Sequence, residues 1–189
     1  GYSTETVVAI TFGFLLALAT NLVRFNEAAH DGRWSQSGFF TLPAFPIQEI
    51  QGKVLGIVGY GRIGKRVAEV ARAFGMRVLA ARIPGRPYSR GASRVSFDLL
   101  LKQSDFVTLH APLTPLTENL INARTLLKMK KGAFLINMAR GGLVDEKALA
   151  DALRSGRLAG AAADVLSEEP PSANHILLKA PNFLLTPHV

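Results

Sequence analysis

A glycine-rich turn that joins an apolar run to a helical pattern constrains the fold of this chain more than any other feature. Residues 54–58 are apolar apart from one glycine, as in a strand that is buried on both faces of a parallel sheet. The run Gly-Tyr-Gly-Arg-Ile-Gly follows at residues 59–64, and residues 65–74 then carry apolar side chains at helical spacing. This succession of a strand, three glycines at this spacing and a helix is typical of sites that bind the pyrophosphate of a dinucleotide. We therefore predict a dinucleotide site here; the alternative is a plain glycine-rich turn.

The three glycines have separate roles in such a site. Gly59 permits the tight turn, and Gly61 lets the backbone approach the phosphates with no side chain in between. Gly64 lets the helix pack closely on the strand. The first N–H groups of the helix then face the anion, and Gly75 ends the helix.

Strand and helix patterns alternate along the rest of the chain. This alternation predicts an α/β fold with a doubly wound parallel sheet of the Rossmann type, in which ligands bind at the carboxyl ends of the strands. A loop over residues 31–51 is expected to pack its aromatic side chains across a surface. The predicted strands are residues 54–58, 76–81, 105–110, 133–137, 158–165 and 182–186, and the predicted helices after the glycine turn are 65–74, 96–102, 123–129 and 145–155.

The composition narrows the classes of function. With 48% hydrophobic and 19% charged residues, the chain is expected to be globular rather than disordered. It has no cysteine, which excludes thiol chemistry and is compatible with the cytoplasm, where we expect the protein to act. The net charge of +8 comes from scattered Arg and Lys residues, so we expect no nucleic-acid partner.

Residues 3–30 are predicted to form one long helix, with Ser3 or Thr4 as its cap. No charged residue occurs over residues 7–23, but polar residues interrupt this run, so we expect a buried helix rather than a membrane span. The helix is apolar almost all round, which leaves two interpretations. It is buried within one subunit, or it forms a homodimer interface, which we favour.

Polar side chains follow five of the predicted strands: Arg82, His110, Arg140, Asp164 and His188. Arg140 could bind a carboxylate through two parallel hydrogen bonds, or be a surface arginine in a turn. A histidine such as His188 suits proton transfer if a carboxylate orients it, and Glu169 could do so if the fold brings the two together. His110 could line the cofactor pocket. No metal-ligand spacing occurs.

Four segments together resemble the nucleotide-binding domain of the D-isomer-specific 2-hydroxyacid dehydrogenases. They are residues 58–64 (VGYGRIG), 136–145 (INMARGGLVD), 164–170 (DVLSEEP) and 186–188 (TPH). Their order and spacing match the family, and the resemblance covers essentially the whole chain. Residues 1–4 and 32–35 are most similar to the glycerate dehydrogenase/hydroxypyruvate reductase branch.

The resemblance implies a role for each candidate residue. Arg140 would bind the carboxylate of a small 2-oxo or 2-hydroxy acid, His188 would donate and accept the proton, and Glu169 would orient His188. The reaction would be hydride transfer between the nicotinamide ring and C2 of the acid. The implied cofactor contacts are Arg62 and Ile63 on the pyrophosphate, Met138, Ala139 and Arg140 after the fourth strand, and Asp164 on the carboxamide.

The chain departs from the family pattern in two respects. NAD sites carry an acidic residue after the second strand, whereas this chain has Arg82 there and no Asp or Glu between Glu69 and Asp98. We therefore favour NADP over NAD, with Arg86, Arg90 and Arg94 nearby as further cations. In addition, members of the family have a separate substrate domain formed by segments before and after the nucleotide domain. The resemblance covers only the nucleotide domain, so we expect the substrate domain to be missing from residues 1–189 and the isolated piece to turn over little.

An alternative function comes from another class. The corepressor branch of the same family has a similar site but acts by binding partners, and Arg140, Glu169 and His188 do not separate it from the enzymes. The choice between enzyme and nucleotide-sensing interaction protein therefore stays open at the level of sequence.

Overall fold

A computed structural model describes residues 4–83 and 94–189. Six parallel strands form one sheet in the order β2-β1-β3-β4-β5-β6. The chain moves outward from β1 to β2 and then crosses to β3 on the other side of β1, which places the ligand crevice at the carboxyl ends of β1 and β3. The predicted doubly wound sheet is confirmed. The strands are β1 (Val54–Val58), β2 (Arg77–Ala80), β3 (Phe106–Leu109), β4 (Ala133–Asn137), β5 (Leu158–Ala163) and β6 (Phe183–Leu185).

Helices cover both faces of the sheet. The buried side chains of α1 and α3 form one core with strand residues such as Phe106, and those of α4, α5 and α6 form a second core with residues such as Val107. Successive strand residues thus face opposite cores, as buried parallel strands require. The helices are α1 (Thr4–Thr20), α2 (Leu22–His30), α3 (Arg62–Ala73), α4 (Phe97–Gln103), α5 (Ala123–Lys128) and α6 (Glu146–Arg154).

Short polar side chains begin the three helices of the second core. Ser96 accepts a hydrogen bond from the N–H of Leu99, and Asp145 accepts one from the N–H of Ala148. Asn122 caps α5 in a reciprocal capping box. These caps explain why α4, α5 and α6 begin close to their predicted positions. The predicted strands need only small corrections, since β2 begins at Arg77 and β5 ends at Ala163.

The prediction of one helix over residues 3–30 is wrong. Asn21 adopts a left-handed conformation with φ of 53°, and α1 and α2 meet there at a bend of 64°. The Asn21 side chain donates a hydrogen bond of 2.7 Å to the carbonyl of Pro46, which holds the break against the following loop. Asn tolerates this conformation better than most residues. Thr4 is the first helical residue, and Ser3 lies outside the described residues.

Most of the apolar surface of α1 is buried within the chain. Leu15 is fully buried, Phe12 stacks on Phe74, and Leu18 packs near Gly160 of β5. Ala9 and Gly13 lie on the exposed side of the helix. In residues 4–83 and 94–189 no single helix is long and apolar enough to cross a membrane, and α1 and α2 pass that test only as a bent pair.

The loop between α2 and β1 was predicted to pack its aromatic side chains across a surface, and only some of them do so. Phe45 packs edge-on against Phe25, with ring centroids 5.1 Å apart, and the Arg24 guanidinium lies 3.9 Å from its ring centroid. By contrast, Phe39 is 74% exposed and Phe40 is 91% exposed. Phe45 therefore packs within the chain, whereas Phe39 and Phe40 do not.

Candidate active site

The glycine turn is shaped by close backbone contacts at two of its three glycines. Gly59 has φ of 102°, and a Cβ there would collide with the backbone carbonyl of His110. A Cβ on Gly64 would collide with the carbonyl of Gly59, so α3 can lie this close to β1 only with glycine at that position. A Cβ on Gly61 would have no atom within 4 Å. Packing thus requires Gly59 and Gly64, whereas Gly61 faces open space.

This open space fits the pyrophosphate of a dinucleotide. Gly61 is the N-cap residue of α3, and no side chain caps this end of the helix. The first N–H groups of α3 therefore lack the side-chain acceptor that α4, α5 and α6 have, and an anion can take that place. Arg62 is exposed at the first position of α3, while Ile63 is half-buried against the α1–α3 core.

His110 lies at the switch point of the sheet, after β3 and beside Gly59. Its Nε2 is 2.9 Å from Oγ1 of Thr108. Its Nδ1 is buried and has no hydrogen-bond partner in the described part of the chain. Burial lowers the pKa of His110 to about 4, so the imidazole is neutral at neutral pH. The Nδ1 atom is left for a hydrogen bond to a bound molecule.

Arg82 follows β2 and is exposed. Its Nε donates a hydrogen bond of 3.2 Å to the carbonyl of Arg94, whose guanidinium lies 5.9 Å from the ring centroid of Tyr60 in the glycine turn. Two arginines therefore lie beside the turn, on the side of the site that follows β2. Arg86 and Arg90 lie outside the described residues.

The turn after β4 is fixed by the buried side chain of Asn137. Its amide donates a hydrogen bond of 2.9 Å to the carbonyl of Arg140, and its Oδ1 accepts one of 3.1 Å from the N–H of Ala139. Met138 is buried, whereas the Arg140 side chain is exposed toward the carboxyl edge of the sheet. Sequence reasoning missed the role of Asn137; a buried amide at the end of an apolar strand was the signal that could have found it.

The fold brings Glu169 and His188 together although 19 residues separate them. Oε2 of Glu169 is 2.7 Å from Nδ1 of His188, and Oε1 accepts a hydrogen bond of 2.8 Å from the N–H of Leu166. Desolvation raises the pKa of Glu169, but its hydrogen bonds to His188 and Leu166 and the nearby charge of Arg140 outweigh it and hold the pKa below its usual value. Glu169 is thus a carboxylate that can orient His188.

Asp164 follows β5 and is almost completely buried. Its Oδ1 accepts hydrogen bonds from the hydroxyl of Thr186 and from the N–H of Val189, the latter of 3.1 Å. Asp164, Glu169 and His188 all line one pocket of about 400 Å³. Thr186 is a second partner that sequence reasoning missed, because 22 residues separate it from Asp164.

The strand order spreads the candidate residues along one edge of the sheet. Arg82 lies at the β2 end, the glycine turn and His110 follow, and Arg140, Asp164 and His188 lie toward β6. With strands about 4.8 Å apart, this edge is roughly 24 Å long, which suits an elongated ligand. Within residues 4–83 and 94–189, no three His, Cys, Asp or Glu side chains are grouped so that they could hold a metal ion.

Comparison with known proteins shows the family to which the chain belongs. Residues 12–189 match the family described as the D-isomer specific 2-hydroxyacid dehydrogenase, NAD binding domain. The chain belongs to this family. It is 44% identical over 190 residues to a glycerate dehydrogenase of Methylorubrum extorquens and 38% identical over 190 residues to a hydroxypyruvate reductase of Blautia hydrogenotrophica. Each alignment covers 100% of this chain but only 59% of the relative.

Solved structures of similar proteins share the fold along almost the whole chain. A crystal structure of a protein from Thermus thermophilus has a TM-score of 0.88 and 43% identity, covering 98% of this chain and 58% of that one. An NAD-dependent formate dehydrogenase from Staphylococcus aureus in complex with NAD has a TM-score of 0.85 and 36% identity, covering 98% and 55%. An acyclic imino acid reductase in complex with NADPH and D-Arg has a TM-score of 0.84 and 34% identity, covering 99% and 58%.

Proposed function

We propose that this chain is the nucleotide-binding domain of a longer oxidoreductase that reduces a small 2-oxo acid to the D-2-hydroxy acid, and catalyses the reverse reaction. The observation that carries this proposal is the Glu169–His188 hydrogen bond of 2.7 Å in the pocket that Asp164 also lines. Relatives named glycerate dehydrogenase, hydroxypyruvate reductase and glyoxylate reductase support it, and favour hydroxypyruvate, glyoxylate or glycerate as substrate. The cytoplasmic location stays a prediction.

Three residues of the chain would have separate roles in the reaction. The bound nicotinamide cofactor would supply the hydride to C2 of the oxo acid. Arg140, exposed after β4, would bind the substrate carboxylate and polarise the carbonyl. His188 would donate a proton to the carbonyl oxygen as the hydride arrives, and Glu169 would hold the imidazole in place and stabilise its protonated form. In the reverse direction His188 would accept the proton from the hydroxyl group.

The cofactor would lie along the carboxyl edge of the sheet. The N–H groups at the start of α3 would bind its pyrophosphate above Gly61, with Arg62 and Ile63 beside it. His110 would meet it at the switch point, and Met138, Ala139 and Asp164 would contact the nicotinamide half. Two features support this placement: no side chain caps the start of α3, and Nδ1 of His110 has no hydrogen-bond partner within residues 4–83 and 94–189.

NADP is the cofactor that we favour over NAD. Arg82 stands where an NAD site has a carboxylate, and an arginine attracts a 2′-phosphate that a carboxylate would repel. Arg94 provides a second cation beside it. The family match and the NAD-bound formate dehydrogenase support NAD binding, whereas the NADPH-bound imino acid reductase shows that a similar structure binds NADPH.

One panel tests the reaction and the cofactor together. The intact enzyme is incubated with hydroxypyruvate, glyoxylate or pyruvate, each with NADPH or NADH, and the loss of reduced cofactor is followed by absorbance. We expect hydroxypyruvate or glyoxylate to be reduced with a higher kcat/KM for NADPH. A clear preference for NADH would contradict the cofactor proposal alone. Oxidation of neither cofactor with any of the acids would contradict the proposed function.

A homodimer remains the assembly that we propose. Ala9 and Gly13 are exposed small residues in the middle of α1, and Phe39 and Phe40 are largely exposed in the loop after α2. Gel filtration with light scattering on the intact enzyme tests this, and a monomer at micromolar concentration would contradict it. No observation favours the corepressor-like alternative.

A further inference from the structure

A second carboxylate gathers three hydrogen-bond donors outside the pocket of Asp164, Glu169 and His188. Glu146 lies in the first turn of α6, and its side chain is only 14% exposed. Its Oε1 accepts a hydrogen bond of 2.8 Å from the N–H of Ser167, and its Oε2 accepts one from the hydroxyl of Ser167. Nε2 of His175 lies 3.1 Å from the same Oε2.

His175 is held in the orientation that this contact requires. Its Nδ1 accepts a hydrogen bond of 3.4 Å from the N–H of Leu177, so the ring proton is on Nε2 and faces Glu146. The His175 side chain is 10% exposed. The carboxylate of Glu146 thus joins α6 to Ser167 and to the segment that begins at His175.

Ser167 lies where two parts of the candidate active site touch. Gly141, next to Arg140, lies so close to the backbone of Leu166 and Ser167 that a Cβ there would collide with it. Ser167 also lies two residues before Glu169 in the sequence, and Oε1 of Glu169 accepts a hydrogen bond from the N–H of Leu166. Any displacement of Ser167 would therefore move the Arg140 turn or the Glu169 carboxylate.

We infer that Glu146 is a positioning residue, which holds Ser167 against the Gly141 turn and thereby sets where Glu169 meets His188. For its effect on catalysis this inference rests on the proposed function; its effect on geometry does not. A glutamine at this position offers one acceptor oxygen instead of two. Its NH2 group would face either the N–H of Ser167 or the Nε2–H of His175, so in both orientations of the side-chain amide a donor faces a donor. His175 cannot turn Nε2 into an acceptor while its Nδ1 accepts from Leu177.

The direct test measures the pKa of the Glu169 carboxyl group by carbon NMR in the 189-residue chain. In Glu146→Gln we expect this pKa to rise, because the hydrogen bonds that lower it are loosened while desolvation remains. In a His188→Ala background the same change should produce a smaller rise, since one of those hydrogen bonds is already gone. Asp151→Asn is the matched control, because Asp151 is an exposed carboxylate on the same helix that pairs with Lys147 and Arg154.

Activity of the intact enzyme gives a second readout. We expect Glu146→Gln to lower kcat/KM for the 2-oxo acid by about tenfold, since a small displacement of a catalytic group has a large effect on rate. The KM for the cofactor should stay unchanged, and Glu146→Gln should add little to the loss caused by Glu169→Gln. A merely structural role of Glu146 would instead give additive losses and lower the melting temperature without moving the pKa of Glu169.

Two further outcomes keep the inference open to refutation. If Glu146→Gln does not fold, Ser167→Ala removes the hydroxyl contact and keeps the N–H contact, and should raise the pKa of Glu169 by a smaller amount. If the pKa of Glu169 stays at its wild-type value in the folded variants, the inference is wrong. If the wild-type enzyme reduces no 2-oxo acid, the proposed function fails, and the NMR result still decides whether Glu146 positions Glu169.

Discussion

The two ends of the carboxyl edge of the sheet are built in different ways. At the β2-β1-β3 end, the glycines of the candidate cofactor site leave space that a side chain would fill. Two kinds of group there have no partner in the described residues: the first N–H groups of α3, which no side chain caps, and Nδ1 of His110. At the β4-β5-β6 end, the polar side chains hold one another, as Glu169 holds His188 and Asp164 holds Thr186. The first end therefore offers hydrogen-bonding groups to a ligand, whereas polar groups at the second end are engaged with one another.

The largest expected effect is that of His188→Ala, which should impair the β4-β5-β6 end and leave the cofactor site at the other end intact. We expect kcat of the intact enzyme to fall by roughly 10³-fold, in line with the loss of a general acid–base residue. The dissociation constant of the cofactor should stay nearly unchanged, because His188 lies at the β6 end. Steady-state kinetics and a fluorescence titration with reduced cofactor measure the two quantities. Turnover close to that of the wild type would contradict the role of His188.

The next effect compares two glycines of the same turn. Gly64→Ala should lower the free energy of unfolding by about 3 kcal/mol, because its methyl group would collide with the carbonyl of Gly59. Gly61→Ala should change that free energy by less than about 1 kcal/mol, since open space surrounds the site of the new methyl group. Gly61→Ala should nevertheless weaken cofactor binding. Urea denaturation measures the free energy of unfolding of the two variants, and titration with cofactor measures binding. Equal losses of stability in Gly64→Ala and Gly61→Ala would contradict the prediction that only Gly64 is required for packing.

A smaller effect concerns the 2′-phosphate that distinguishes NADP, the cofactor that we propose, from NAD. Arg82→Ser should lower kcat/KM for NADPH by about tenfold, the loss of one charge-assisted hydrogen bond, and leave the value for NADH almost unchanged. Arg77→Ser is the matched control, because Arg77 is exposed at the opposite end of the same strand. If both variants keep the wild-type ratio of the two cofactors, Arg82 does not select the cofactor.

A further effect is a change in how stability depends on pH. Burial holds the pKa of His110 at about 4 in the folded chain, whereas an unfolded histidine titrates near 6.5. The unfolded state therefore binds one more proton as pH falls below 6.5, and the free energy of unfolding decreases toward pH 4. Urea denaturation of His110→Gln between pH 7 and 5 should give a shallower decrease than the wild type. Equal slopes would show that His110 is accessible to water.

The two ends also differ in how well the sequence predicts them. The glycine turn is local, since its strand, glycines and helix are contiguous, and its position was predicted correctly. The hydrogen bonds at the other end join residues far apart in the sequence, such as Thr186 with Asp164 and Glu146 with Ser167. Sequence alone could nominate Asp164, Glu169 and His188 by their positions after strands and by family resemblance, but it could not supply these contacts.

The break in the N-terminal helix shows the same limit. Residues 3–30 have the composition of a continuous helix, and only one asparagine marks the point where it ends. The hydrogen bond from Asn21 to Pro46 spans 25 residues, so tertiary structure overrides a local helical preference. Phe39 and Phe40 illustrate a related difficulty, because an apolar side chain in a loop does not reveal whether it covers its own chain or another.

The two hydrogen bonds of Asp164 lie on either side of His188 in the sequence, at Thr186 and at Val189. The carboxylate expected to contact the nicotinamide half thus also anchors both flanks of the residue that would transfer the proton. A substitution at Asp164 would disturb hydride and proton transfer at once, and its kinetic effect could not be assigned to cofactor binding alone.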